Sequence, residues 1–232
     1  MSDAAVTLNE VRFAYRGGAT ILDIPNLHVA RGERVFLHGP SGSGKTTLLG
    51  LLAGVLTPTS GGVQVLGNDL GAMRSAARDR FRAAHVGYVF QMFNLIPYLS
   101  VRDNITLPVR LSSLRHARLQ GEDADAAATR LAAQLELTPL LTQPVTALSV
   151  GQQQRVAVAR ALIGSPELIV CDEPTSALDA DRRERFLELL FALVERAGST
   201  LVFVSHDLSL AERFGRTVLL PSVNRAALTV AA

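Results

Sequence analysis

The stretch Gly39-Pro40-Ser41-Gly42-Ser43-Gly44-Lys45-Thr46 decides the fold, because it matches the pattern G-x-x-x-x-G-K-[ST] between an apolar run and a helix-prone run. A glycine-rich loop in this setting turns its backbone N–H groups around a polyphosphate, and the N-terminus of the next helix favours the same anion. We therefore predict a nucleoside triphosphate site, where Lys45 reaches the β- and γ-phosphates and the Thr46 hydroxyl binds Mg²⁺. The alternative is a glycine-rich turn without a ligand.

Length, charge and cysteine content limit the class of protein. The chain has 232 residues of which 48% are hydrophobic, enough for a sizeable core. A formal net charge of +2 gives no strongly basic surface, so we expect no nucleic-acid partner. The single cysteine, Cys171, excludes an internal disulfide, and the N-terminus lacks a secretion signal, which predicts a cytosolic chain. No apolar run approaches the roughly 20 residues of a membrane helix, so any membrane role must come through a partner.

Two extended segments before the loop predict a small antiparallel β layer. The segment from Val6 to Tyr15 alternates with one slip, and Ile24 to Val29 forms the second strand. Tyr15 lies shortly before the loop and could stack on a nucleobase. The alternative is an ordinary half-buried strand residue.

The β-prone run Val86 to Phe90 ends at Gln91. Strands of a parallel sheet end on the side where ligands bind, so Gln91 could reach a metal or a water near the γ-phosphate. The apolar residues from Met92 to Leu99 either belong to the core or form a docking surface for a partner.

The middle of the chain is predicted to be helical. Helices are expected from Val101 to Leu111 and from Ala124 to Leu137, with a polar linker between them. The basic cluster Arg115-His116-Ala117-Arg118 in that linker is predicted to be a solvated surface.

The sequence from Leu148 to Arg155 opens another helix, and Ser149 and Gln152 have the spacing of a capping box. One interpretation is a well-made helix start. The other is a second anion site, because the Ser149 hydroxyl, the Gly151 N–H and the helix dipole would act at the same place.

Two buried strands end in ionisable residues. The apolar run Leu168 to Asp172 continues into Glu173, and in phosphate-loop enzymes the first acid holds Mg²⁺ while the second can polarise the attacking water. A structural salt bridge is the alternative. The strand Thr200 to Ser205 ends at His206, which is either structural or a contact to the γ-phosphate or a water. Cys171 is expected to be a buried, inert thiol.

Taken in order, these motifs resemble the nucleotide-binding subunit of ATP-binding cassette (ABC) transporters over nearly the whole chain. The resemblance implies an α/β fold with a P-loop NTPase (RecA-like) core, an N-terminal antiparallel β subdomain and an inserted α-helical subdomain. Residues 1–232 would form one ABC ATPase domain, with a core and β subdomain of about 1–90 and 160–232 and a helical subdomain of about 91–159. One departure is Val150, which stands where the family usually has Gly.

The resemblance also implies an ATPase that dimerises head-to-tail, with itself or a homologous cassette, around two ATP molecules and Mg²⁺. Thr46, Gln91 and Asp172 would organise the metal. The implied catalytic residues are Glu173 as general base, His206 as γ-phosphate sensor, Gln91 and Lys45. The implied nucleotide-binding residues are Tyr15 against adenine, then Gly39, Pro40, Ser41, Gly42, Ser43, Gly44, Lys45, Thr46 and Thr47, and from the other chain Ser149, Gly151 and Gln152.

Within the family, Phe90 to Pro97, Asn104 and Leu107-Pro108 look like the lipoprotein-release and macrolide-export branch (LolD and MacB type) and the related cell-division ATPase FtsE. This implies a cytoplasmic chain held at the inner face of the membrane by a separate integral membrane permease, with the coupling surface after Gln91. The alternative is a soluble regulatory ATPase that switches a partner without transport. Because the chain stops soon after Pro221, we expect no C-terminal regulatory domain.

Overall fold

A computed structural model describes residues 4–176 and 178–226. Ala177 lies outside the described residues. The described strands are β1 Ala4–Ala14, β2 Thr20–Ala30, β3 Arg34–His38, β4 Ser60–Val65, β5 Asn68–Asp69, β6 Val86–Val89, β7 Leu168–Asp172, β8 Thr200–Ser205 and β9 Arg216–Leu219. The described α-helices are α1 Lys45–Leu52, α2 Ser75–His85, α3 Val101–Leu111, α4 Ser113–Ala117, α5 Ala124–Gln134, α6 Val150–Leu162, α7 Ala180–Ala197 and α8 Leu220–Val223. None of these helices is long and apolar enough to cross a bilayer.

The chain divides into two compact units, one formed by the residues up to Arg82 and from Thr200 onward, the other by Ala83–Ser199. In the first unit, β1 lies between β2 and β4 and is antiparallel to both, while β5 extends the sheet beside β4. The predicted antiparallel layer is therefore confirmed, and it is larger than the two segments seen in the sequence.

The slip predicted in β1 is a β-bulge. Leu8 and Val11 are both buried although two exposed residues separate them, and the pairing of β1 with β4 shifts register at this point. Glu10 takes a positive φ of 46°, and the facing Gly61 has a φ of +83°. A Cβ on Gly61 would collide with the Glu10 carbonyl. The bulge keeps the apolar side chains of both halves of β1 on one face.

The first unit also contains three parallel strands, with β3 between β8 and β9. The last residue of β3, His38, lies opposite Ser205 of β8 and Leu219 of β9. Consequently the phosphate loop, which follows β3, and His206, which follows β8, lie at the same C-terminal edge of these strands. Strand β9 is not predicted from the sequence, because its four residues alternate too briefly to stand out.

In the second unit, β6 and β7 are parallel and Val89 lies opposite Cys171. A Cβ on Gly87 of β6 would collide with the carbonyl of Ala161 in α6, so glycine allows this strand and helix to approach closely. Helix α5 ends at Gln134, earlier than the predicted Leu137, because the chain leaves helical geometry and Glu136 takes a φ of 56°.

The prediction of a solvated basic cluster is wrong for Arg115, which is only 2% exposed and lies in the short helix α4. Its guanidinium donates to the carbonyls of Val86, Ala161 and Ile163. Burial lowers the pKa of Arg115 to about 10, with the charge of Arg118 adding to the effect, so the side chain is still protonated at neutral pH. Arg115 therefore joins α4 to the start of β6 and the end of α6.

Candidate functional site

The phosphate loop is held in shape by its own lysine. The Lys45 side chain is buried, and Nζ donates to the carbonyl oxygens of Gly39 at 2.7 Å and Pro40 at 3.0 Å. Gly44 caps helix α1 with a φ of +96°, and a Cβ there would lie 2.7 Å from a methyl of Leu22. Both facts require glycine at this position. The Oγ of Ser43 is buried and has no partner within the described residues, so this loop contains a polar atom suited to an oxygen-rich ligand.

Tyr15 and His206 lie on exposed positions of the first unit. Tyr15 follows the end of β1 and is 52% exposed, with its ring nearly perpendicular to that of Phe13 at a centroid distance of 5.0 Å. Tyr15 therefore lies one residue beyond the strand and exposes about half of its surface, so its stacking role stays a prediction. His206 is exposed and follows β8 directly. The sequence pattern predicts this position, at the C-terminal end of β8.

The second unit brings Gln91 and Glu173 to one sheet edge, because the strands that precede them end side by side. Asp172 is the buried last residue of β7, and Glu173 comes next with a positive φ of 46°. A left-handed backbone in a residue other than glycine is uncommon and concentrates at functional sites. Burial raises the pKa of the Cys171 thiol, and the Asp172 charge adds to this, which keeps the thiol protonated and inert as predicted.

The capping box at the start of α6 is confirmed. The Ser149 N–H donates to Oε1 of Gln152 at 2.9 Å, and the Gln152 N–H donates to the Ser149 Oγ at 3.4 Å. A Cβ on Gly151 would meet no atom within 4 Å, and Val150 is 52% exposed. The first turn of α6 therefore faces open space.

Helix α6 also holds the two loops that carry the candidate polar residues of its unit. Arg160 donates to the carbonyls of Phe93 and Asn94, both at 2.6 Å, in the loop after Gln91. Gln154 is buried and donates to the carbonyl of Pro174 at 2.6 Å, one residue beyond Glu173. Sequence reasoning missed both residues. The available signal for Gln154 was a third successive glutamine on the buried side of a helix.

The described residues contain no group of three or more His, Cys, Asp or Glu that could hold a metal ion. The predicted ligands Thr46, Gln91 and Asp172 supply a hydroxyl, an amide and a carboxylate oxygen. Each of these groups is an oxygen donor of the kind that Mg²⁺ accepts, since Mg²⁺ keeps several waters and shares its coordination with substrate phosphates.

Comparison with known proteins adds an independent line of evidence. The family model described as ABC transporter matches residues 22–176, more than half of the chain. The chain is 44% identical over 204 residues to the uncharacterized ABC transporter ATP-binding protein YbbA of Escherichia coli K12, covering 87% of this chain and 86% of that protein. It is 39% identical over 209 residues to the lipoprotein-releasing system ATP-binding protein LolD of Geobacter metallireducens, covering 89% and 91%.

Among solved structures, the fold is similar to that of the ATP-binding cassette MJ0796 in a dimeric, post-hydrolysis state bound to ADP and Pi. The TM-score is 0.82 at 35% identity, with 92% of this chain and 93% of that chain covered. The similarity extends over both the antiparallel and the parallel strands together with the helical parts. The P-loop NTPase fold, the sequence motifs and the relatives agree, and this chain belongs to the ABC transporter family as an ATP-binding subunit with ATPase activity.

Proposed function

We propose that the chain dimerises head-to-tail around two ATP molecules and powers an integral membrane permease. The observation that carries the proposal is the first turn of α6, which forms both hydrogen bonds of its capping box and faces open space at Gly151. A helix N-terminus with a free glycine attracts an anion. We propose that this anion is the γ-phosphate bound to a second copy of the chain, or to a homologous cassette, contacted through Ser149, Gly151 and Gln152.

In the first unit, the loop Gly39–Thr47 would bind the phosphates through its backbone N–H groups, and Lys45 would neutralise the β- and γ-oxygens. Lys45 is held against two loop carbonyls, so its ammonium is already placed at the loop. Tyr15 exposes about half of its surface and would stack on the adenine. His206 would contact the γ-phosphate from the carboxyl edge of β8.

In the second unit, Glu173 would accept a proton from the water that attacks the γ-phosphorus, while the bond to the β-phosphate oxygen breaks. Its left-handed backbone directs the residue away from the strand path of β7. Thr46, Gln91 and Asp172 would hold Mg²⁺, and bound Mg²⁺ would neutralise charge on the phosphate oxygens. The chain's own contribution is to orient the water and to stabilise the charge on the transferring group.

The loop between β6 and α3 is the proposed surface for the permease. Phe93 is buried, whereas Met92 and Tyr98 are 81% and 85% exposed. The loop is anchored by Asn104, whose amide bonds the backbone of Ile96, and by Arg160. Large apolar side chains on a well-anchored loop are typical of an interface. Burial of Phe93 agrees with the core interpretation, and exposure of Met92 and Tyr98 supports the proposed docking surface. Residues 91–159 would form the helical subdomain that carries both this loop and the capped start of α6.

The experiment compares the tagged wild-type chain with a Met92→Glu/Tyr98→Glu double variant in its native cell. We expect the wild type in the membrane fraction with one integral membrane protein, and at least a tenfold smaller recovery for the variant, because two buried charges each oppose docking. Val55→Glu, which changes a 56% exposed residue of the first unit, is the matched control and should bind normally. Equal recovery of all three chains would contradict the coupling surface, and a wild type found only in soluble complexes would favour the regulatory alternative.

A further inference from the structure

The end of the described chain folds back onto the phosphate loop. After β9, helix α8 turns the chain, and Ser222 Oγ closes this turn by donating to the Leu219 carbonyl at 2.7 Å. The turn delivers Asn224, which is 1% exposed, and the next N–H, that of Arg225, donates to the Asp23 carbonyl at 2.8 Å. We call residues 220–226 the C-terminal latch.

The Asn224 side chain uses all of its hydrogen-bonding capacity. Its Oδ1 accepts from the N–H groups of Asp23 at 2.8 Å and Ala226 at 3.2 Å. Its Nδ2 donates to the carbonyls of Ile21 at 2.9 Å and Ser43 at 3.3 Å. Two N–H groups on one side and two carbonyls on the other fix the orientation of the amide. One side chain therefore joins β2, the latch and the phosphate loop.

The contact to Ser43 controls a particular peptide plane. In a trans peptide the carbonyl and the following N–H point in opposite directions. Because Asn224 holds the Ser43 carbonyl, the Gly44 N–H points away from the latch. Within residues 4–176 and 178–226, this N–H has no hydrogen-bond acceptor. Gly44 has a φ of +96° and no Cβ, so it has no side chain that would restrict rotation of the plane.

We propose that Asn224 is a positioning residue for nucleotide binding, which holds the Ser43–Gly44 peptide so that the Gly44 N–H faces the bound phosphates. This inference rests on the proposed function of the loop as the phosphate site. A backbone N–H that donates to a phosphate forms one of the stronger, charge-assisted hydrogen bonds. The latch thus prepares the loop before the nucleotide arrives and reduces the ordering cost of binding.

Asn224→Asp tests this role because it keeps the size and the acceptor atoms but removes both donors. The carboxylate would face the carbonyls of Ile21 and Ser43, and the peptide plane would be released. Asn68→Asp makes the same chemical change at an exposed residue whose amide donates to the Leu66 carbonyl, far from the phosphate loop in sequence. Val63→Ala, at a fully buried position of β4, provides a variant with lowered stability and an unaltered loop.

The measurement is calorimetric titration of each full-length chain with ADP and Mg²⁺, together with the melting temperature and the KM and kcat for ATP. We expect Asn224→Asp to bind ADP about tenfold more weakly and to raise KM more than it lowers kcat. Asn68→Asp should match the wild type, and Val63→Ala should melt earlier but bind normally. If Asn224→Asp does not fold, Asn224→Ala, which introduces no charge, carries the same expectation.

An ADP affinity of the Asn224 variant within twofold of the wild type would overturn the inference. So would an affinity loss in Val63→Ala equal to that in Asn224→Asp, since general destabilisation would then explain both. Titration of a Lys45→Ala variant distinguishes the positioning role of Asn224 from the phosphate site itself. If Lys45→Ala weakens binding while Asn224→Asp does not, only the positioning role fails; if neither does, the phosphate site itself is wrong.

Discussion

Replacing Glu173 by Gln is expected to slow ATP hydrolysis about a thousandfold while ATP still binds. Glutamine has the same size and shape as glutamate, but its neutral amide cannot take a proton from the attacking water. The residue sits immediately after the buried Asp172 with a left-handed backbone, and glutamine places the same number of side-chain atoms there. Phosphate release at saturating ATP measures the rate, and equilibrium titration measures binding.

The same variant should accumulate as an ATP-bound dimer, because hydrolysis is the step that reopens the cassettes. Light scattering should show a monomer without nucleotide and a dimer with ATP. Glu188→Gln makes the same change on an exposed face of α7 and is the matched control, expected to hydrolyse ATP normally. Undiminished turnover by the Glu173 variant would remove it from the role of general base, and a stable dimer without nucleotide would contradict ATP-dependent association.

Replacing Gly151 by Asp is expected to reduce hydrolysis at least a hundredfold without disturbing the fold. A Cβ at this position meets no atom within 4 Å, so the chain itself has room for the larger side chain. The new carboxylate would face the γ-phosphate of the partner cassette and repel it, and the like charges would also weaken dimer closure. ATP binding to the loop of the same chain should be unaffected, because in the proposed head-to-tail dimer Gly151 contacts the ATP of the partner chain.

Gly151→Ala is the matched control, since it adds only a methyl group to the same open space. We expect a loss of no more than a few fold in its hydrolysis rate. Circular dichroism and the melting temperature of both variants should stay close to those of the wild type. Normal hydrolysis by Gly151→Asp would show that the first turn of α6 does not contact the γ-phosphate bound to a second chain.

The elements that the sequence predicts well are those with a local signature. The capping box at Ser149 and Gln152 needs only four residues, and the structure forms both of its hydrogen bonds. The bulge in β1 is visible as a break in alternation between Leu8 and Val11. Strand ends followed by polar residues also predict which side chains share a sheet edge, as for Gln91 and Glu173.

The features that the sequence conceals depend on distant partners. Arg115 belongs to a charged run that suggests solvation, and only the carbonyls of Val86, Ala161 and Ile163 make its burial favourable. Asn224 lies in a short tail with no periodic pattern, and its partners at Ile21, Asp23 and Ser43 are about 180 to 200 positions away. No local propensity carries information about such contacts, so these residues emerge only from the fold.

The central claim is that each ATP site is shared between two chains, and mixing two inactive variants tests it most directly. Lys45→Ala disables the phosphate loop, and Gly151→Asp disables the first turn of α6. In a head-to-tail dimer of one copy of each, one site combines both defects and the other combines the two intact halves. We predict that an equal mixture hydrolyses ATP well above either variant alone, up to about a quarter of the wild-type rate for independent sites in randomly paired chains. A mixture no more active than its separate components would contradict the shared site.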